Sequence, residues 1–141
     1  MHENESKQLT TLRKRAEAGD VHAQYELGCK YYEGDGVKRD YAEALKWYRM
    51  AAAQGDNSGL CDVGYCYRNG HGVKQDYAKA ISFYQQAATQ GCPTGAYWMA
   101  HAYEHGEGLK KDLEKATKWY RISHERGDSD AADDLARLEK K

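Results

Sequence analysis

The side chains with the most evident chemistry lie together near the last third of the chain. His101-Ala102-Tyr103-Glu104-His105 spells H-x-x-E-H, the inverted zinc-hydrolase pattern in which two histidines one helical turn apart grip a metal and the glutamate acts as general base. The surroundings argue against that use. Gly106 ends the segment at once, Tyr103 belongs to a repeated stripe, and no third protein ligand is marked. The four thiols, Cys29, Cys61, Cys66 and Cys92, contain no C-x-x-C pair, so zinc-ribbon and thioredoxin signatures are missing. A chain of this size builds a core without staples, and reduced, largely buried cysteines are the expectation. Gly34-Asp35-Gly36-Val37 lacks the Lys-Ser/Thr run of a phosphate loop, and none of the serines stands in a nucleophile elbow. No catalytic residue, metal or other cofactor is expected.

Binding chemistry is better represented. The 141 residues include twelve tyrosines, and 22 acidic against 21 basic side chains leave a net charge of -1. Without a cluster of Lys and Arg, neither nucleic acid nor an anionic membrane surface is an expected partner. No apolar run is long enough to span a bilayer. The start, Met1 to Lys7, lacks the apolar segment of a secretory leader, so the cytoplasm is the expected compartment.

The elements that must position these side chains come from a repeat. Gly19, Gly55, Gly91 and Gly127 stand 36 residues apart, and the same offset joins Tyr31/Tyr67/Tyr103, Asp40/Asp76/Asp112, Ala44/Ala80/Ala116 and Tyr48/Tyr84/Tyr120. Residues 19–54 and 55–90 are identical at 16 of 36 positions. Each unit reads as two helices. The first, about Val21 to Glu33, has Asp20 as N-cap and a packing stripe of Ala23, Leu27, Gly28 and Tyr31. Gly34 and Gly36 end it, and Asp40 caps a second helix from Tyr41 to about Gln54, striped by Ala44, Trp47, Tyr48, Ala51 and Ala52. Asp56 and Asp128 repeat the first cap, whereas Cys92 breaks the series and Pro93 supplies the start signal at N1. A Gly-Asp pair between units stops one helix and caps the next, so successive helices must pack antiparallel.

The reading is a single all-α solenoid domain over 1–141, with repeats at 19–54, 55–90 and 91–126. An N-terminal capping helix at 5–18 keeps Leu9 and Leu12 but has polar residues elsewhere, and a C-terminal capping helix at 127–141 is striped by Ala131, Leu135 and Ala136. Both ends read as finished, giving a complete array of eight helices.

The pattern Leu27-Gly28-x-x-Tyr31-x-x-Gly34-x-Gly36-Val37-x-x-Asp40-Tyr41-x-x-Ala44-x-x-Trp47-Tyr48-x-x-Ala51-Ala52-x-Gln54-Gly55 resembles the Sel1-like repeat, a longer-looped relative of the tetratricopeptide repeat. The third copy departs with Ala100 for Gly, Leu113 for Tyr and Ser123-His124 for Ala-Ala. The resemblance implies a right-handed α/α superhelix that acts as a non-enzymatic adaptor, holding a protein or peptide on its concave side. A cysteine-rich branch of that family is associated with penicillin binding and weak β-lactamase action. Its cysteines are paired at repeated positions, whereas the four here are out of register with one another.

First helices line the inner groove of the related tetratricopeptide superhelix. Carried onto this chain, that geometry gives His22, Tyr25 and Tyr32 from the first unit and Tyr65, Arg68 and Asn69 from the second. The third contributes Tyr97, Trp98, His101, Glu104 and His105. These positions vary between units while the stripes repeat, as a split between ligand contact and packing demands; Tyr and Arg are also favoured hot-spot residues. Trp98 stands in register with Glu26, Asp62 and Asp134, so it is expected to face solvent, at the edge of a contact surface or in a dimer contact. A monomer or weak dimer is expected. A narrower version of the reading is an immunity or regulatory protein that neutralises one partner.

Overall fold

The computed structural model describes residues 2–140, with side chains from 7 onward. Helix bounds follow the caps closely. They are α1 (His2–Glu17), α2 (Val21–Glu33), α3 (Tyr41–Ala53), α4 (Asn57–Asn69), α5 (Tyr77–Thr89), α6 (Pro93–His105), α7 (Leu113–Glu125) and α8 (Asp130–Glu139). No strand occurs among the described residues. None of the described helices is long and apolar enough to cross a membrane.

Local chemistry sets these bounds. Asp20, Asp56, Asp40, Asp76 and Asp112 each accept a hydrogen bond from the amide three residues on, at 2.9–3.2 Å, satisfying donors that have no partner inside the helix. Cys92 offers no such bond and leaves the start of α6 to Pro93. Gly34, Gly70 and Gly106 end the first helices at φ of 73°, 70° and 69°, a left-handed conformation that side chains with a Cβ resist. The loop then folds back, because the amides of Asp40, Asp76 and Asp112 donate to the carbonyls of Tyr31, Tyr67 and Tyr103 at 2.8–2.9 Å. One residue thus closes the loop through its amide and starts the next helix through its carboxylate.

Asp128 departs from the expected device. Its Oδ1 accepts from the amide of Asp130 only two residues on, and its Oδ2 takes the Ser123 hydroxyl, so α8 begins later, after Ser129. Ala136, expected in the α8 stripe, is exposed; Ala131 and Leu138 are the buried residues there. Ser123 itself fits where the other units have Ala. It is fully buried, and its hydroxyl is satisfied by the Pro93 carbonyl at 2.8 Å as well as by Asp128.

Each helix packs on the next in chain order, and α4 also touches α6. Within a unit, the tyrosine of the second helix lies over a small residue of the first. A Cβ on Gly28 would stand 2.7 Å from the Tyr48 ring, and one on Gly64 2.7 Å from Tyr84. Between units, a Cβ on Gly59 or Gly95 would meet the backbone nitrogen of Ala52 or Ala88 at 2.9 and 2.7 Å. Leu27, Leu45, Val63, Tyr84, Met99 and Tyr120 are almost wholly removed from solvent. Arg13 and Arg49 repeat a further tie, each donating to the hydroxyl of the tyrosine on the following helix, Tyr31 and Tyr67. Both guanidinium groups also lie over those rings, 5.6 and 5.5 Å from the centroids.

The packing face yields a direct test. Gly64→Leu is expected to lower unfolding stability by about 1 to 3 kcal/mol or more in urea titration. Gly64→Ala should cost less, because unit three already carries Ala100 against Tyr120. Equal melting of wild type and the leucine variant would put the helix contact elsewhere.

Candidate functional site

Residues spaced three and four apart on α2, α4 and α6 share one face, and their side chains meet those of the next unit. The result is a continuous ladder of rings. Tyr25 and Tyr32 contact Tyr48, at centroid distances of 5.6 and 6.3 Å. Tyr32 packs on Tyr41 at 4.9 Å, and its hydroxyl bonds His71 Nδ1 at 2.8 Å. His71 stacks flat on Tyr41, 4.4 Å away, and meets the edge of Tyr65. Tyr65 then contacts Trp98 at 5.7 Å, and Trp98 touches Tyr97 and His101 at 5.4 and 5.2 Å. The rings of His101 and His105 lie 4.3 Å apart at the far end. Tyr65, at 36% exposure, is the most open tyrosine of this series, and His22 and His105 are exposed as well.

Trp98 corrects the expectation of a solvent-facing residue. It is half-buried and stacks on Tyr84, 5.7 Å away with 15° between planes, while the Arg68 guanidinium covers it at 5.0 Å. The reason lies one unit back. Tyr25 covers Tyr48 and Tyr97 meets Tyr120, but the residue in register between them is Cys61, too small to cover Tyr84. Trp98 fills that place from the following helix.

Charged residues clasp neighbouring units along the same face. Arg68 donates to both carboxylate oxygens of Glu107 at 3.2 Å, and His101 Nδ1 contacts Glu107 at 3.2 Å. Burial pushes the His101 pKa down, with the nearby His105 adding to the effect. Asn69 is turned inward on its own helix, donating to the Tyr65 carbonyl at 2.9 Å and accepting from Arg68. Glu104 is buried, with Tyr120 donating at 2.8 Å and Arg137 contributing two hydrogen bonds. The Arg137 bonds hold its carboxyl down to about 2, with Tyr120 assisting. The glutamate of the H-x-x-E-H spelling is therefore committed to an intramolecular network. No group of three or more His, Cys, Asp or Glu side chains placed to hold a metal occurs among the described residues.

Sequence reasoning missed His71 and Glu107, took Asp62 as solvent-facing, and placed Arg137 on the groove face without its tie to Glu104. His71 and Glu107 occupy the same loop station, and each reaches back 39 residues, to Tyr32 and to Arg68. That shared offset between two variable positions was the available signal. The cysteines are all free, with Cys61 and Cys66 buried and Cys29 and Cys92 half-buried. Burial pushes the Cys66 thiol up to about 12 and raises Cys29 and Cys61 as well, leaving them unreactive near neutrality.

Tandem helix pairs in one register, with a groove of varied residues, define a repeat protein of the α-solenoid class. The chain belongs to the Sel1 repeat family, whose pattern it matches at residues 21–56, 58–92 and 93–128. It is similar in structure to a Sel1 repeat protein from Oxalobacter formigenes, with 36% identity and a TM-score of 0.80 over 93% of this chain and 98% of that one. A protective antigen of uropathogenic Escherichia coli that displays an SLR fold is 36% identical, with a TM-score of 0.86 over 90% of this chain. A 43-residue segment, 30% of the chain, is 40% identical to the secretory immunoglobulin A-binding protein EsiB of Escherichia coli O6:H1. This chain spans 27% of the length of the antigen and 9% of that of EsiB. Sel1 repeat proteins generally mediate protein-protein interaction.

The Glu104 network carries a pH dependence. Its folded pKa lies below the ordinary carboxylate value of 4.5, so its stabilisation is complete above about pH 4.5 and is lost as the pH falls toward 2. Thermal melting from pH 6 to 2 should show a loss on the order of 2 kcal/mol that Arg137→Ala largely removes from the profile. An unchanged pH profile in that variant would remove Arg137 as the cause.

Proposed function

We propose that the chain is a non-enzymatic adaptor that holds a protein segment against the first-helix face, on its concave side. The continuous ring ladder from Tyr25 to His105 carries this reading. Apart from the buried Tyr48, which joins Tyr25 to Tyr32, its members are half-buried or exposed, so they offer flat apolar area whose conformational entropy has already been lost to packing. Ladder positions differ from unit to unit, whereas the stripes beneath them repeat. Contact residues are Tyr25, Tyr32, Tyr65, Arg68, Tyr97, Trp98, His101 and His105, with His22 and Asn69 at the margin. Glu104 acts from below by fixing Arg137 and Tyr120. The interaction mode general to Sel1 repeats supports the reading, as does the name of EsiB, a relative that binds an immunoglobulin; the short shared segment carries the mode and not that partner. Four free thiols suit a reducing compartment, and we place the chain in the cytoplasm.

Affinity capture from the producing cells, read by quantitative mass spectrometry, tests the groove. Tyr65→Ala with Tyr97→Ala should keep the helical circular dichroism yet reduce capture of the specific partner at least about tenfold, the loss expected for hot-spot tyrosines. Gln85→Ala, on the exposed side of α5, should capture as wild type does. Equal capture by the double variant would move the contact surface off the first helices.

A further inference from the structure

Away from the ring ladder, a second concentration of chemistry stands where α3, α4 and α5 meet. Arg49 on α3, Lys74 in the loop before α5 and Lys79 in the first turn of α5 line one surface recess of about 430 Å³ around Tyr67, together with Val73 and Asp76. The Arg49 guanidinium donates to the Tyr67 hydroxyl and lies 5.5 Å from the ring centroid. The Lys79 ammonium lies 5.4 Å from the same centroid. The floor is fixed, because Tyr67 is buried and stacked on Phe83 at 5.8 Å. The loop wall is held as well: the Asp76 amide donates to the Tyr67 carbonyl at 2.8 Å, and the Gln75 side chain donates to the Arg68 carbonyl at 2.7 Å.

None of the three basic side chains has an ion-pair partner among the described residues. The acid in the wall, Asp76, spends a carboxylate oxygen on the Lys79 amide at 3.1 Å as the cap of α5. Positive charge therefore exceeds negative by two in the recess, and the two cations over Tyr67 repel each other unless an anion is shared between them. Register shows that the convergence is particular to this joint. The station of Arg49 holds Arg13 one unit back and Gln85 one unit on, that of Lys74 holds Lys38 and Lys110, and that of Lys79 holds Glu43 and Lys115. Glu43 pairs with Lys46 and accepts from the Trp47 ring, so the first joint has a carboxylate where the second has an ammonium. The third joint lacks the guanidinium. Packing on the tyrosine repeats from unit to unit, whereas the full basic set occurs once.

We infer that this recess takes a phosphoryl group carried on a phosphorylated side chain of a protein partner. A phosphate monoester bears close to two negative charges and three acceptor oxygens at neutral pH, matching the excess charge and the three basic side chains. A carboxylate brings half the charge and one oxygen fewer. Arg49 gives only part of its donor fork to Tyr67 and keeps further N–H groups for the anion. The lysines are flexible point charges that close over the remaining oxygens. A protein source fits because the recess is far larger than a phosphoryl group, and Val73 with the lysine stems offers apolar surface to the residues beside the modified one. This seat is separate from the ring ladder and does not rest on the groove reading above.

The test uses the full chain and heteronuclear NMR titration with acetyl-Gly-phosphoserine-Gly-amide, its serine parent and its glutamate analogue. The phosphopeptide should shift the signals of Tyr67, Val73 and Lys79 saturably. The serine parent should leave them in place, and the glutamate analogue should bind about tenfold more weakly. Arg49→Gln with Lys79→Gln should weaken the phosphopeptide at least about tenfold, as loss of two charge-assisted contacts requires. Gln85 already fills the Arg49 station of the next unit, so glutamine is compatible with the fold there. Lys79→Gln alone leaves the Arg49 to Tyr67 bond in place and should still weaken binding at an unchanged melting temperature. Lys115→Gln, at the third joint, should bind as wild type does. Equal shifts from the serine parent, binding unaffected by the paired substitution, or an equal loss in Lys115→Gln would each overturn the assignment. Inorganic phosphate or a thymidylate tetramer binding as tightly as the phosphopeptide would move the source of the phosphoryl group off a protein side chain and overturn it as well.

Discussion

The depth of this solenoid is set where a second-helix tyrosine lies flat on its own first helix. Tyr48 and Tyr84 come so close to Gly28 and Gly64 that no Cβ fits between, and Tyr120 rests on Ala100. Drawn in this far, each ring sends its hydroxyl toward the groove floor. Tyr48 there meets Cys29 Sγ at 3.5 Å and Tyr120 meets Glu104, whereas the Tyr84 hydroxyl is buried without a hydrogen-bond partner among the described residues. The exposed ladder is laid on these three rings, since Tyr25, Trp98 and Tyr97 each pack against one of them. Core packing and groove chemistry are therefore two sides of the same residues.

Variation along the groove is compensated across unit boundaries. Where a first helix carries a tyrosine at the station of Tyr25 or Tyr97, the next helix of that layer carries an aspartate, Asp62 or Asp134, whose charge adds to burial in raising the pKa of the hydroxyl. Where the station holds Cys61, the following helix carries Trp98 instead. The bulk and polarity of the pair are thus maintained while its members change. The loop clasps behave alike: a neutral pair, Tyr32 with His71, at one boundary is replaced by an ionic one, Arg68 with Glu107, at the next.

Helix number, bounds and stripes were legible in the sequence because they rest on local chemistry, Asp caps and left-handed glycines, repeated three times. Asp128 shows where locality fails. Its carboxylate had a competing partner in Ser123, five residues back, and only the packed structure decides between them. The candidate contact residues do lie on α2, α4 and α6, yet the state of each side chain was not legible. Register put Trp98 in a charged column, and the space left by Cys61 drew it inward. The committed state of Glu104 depends on Arg137, 33 residues away on another helix. His71 and Asp62 escaped notice because a loop station and a column of acids look solvent-facing when each unit is read alone.

The unequal clasps have a mechanical consequence. A superhelix bends at its joints, and a groove widens or narrows with them. The joint held by Tyr32 and His71 is a neutral hydrogen bond backed by ring stacking, so dissolved ions hardly touch it. The joint held by Arg68 and Glu107 is an ion pair whose side chains are only 20% and 18% exposed, so counterions screen it in part. Successive joints of the solenoid thus differ in the kind of contact that closes them. The two ends of the groove face are therefore tied by contacts of unlike chemistry, one of rings and a hydroxyl and one of opposite charges.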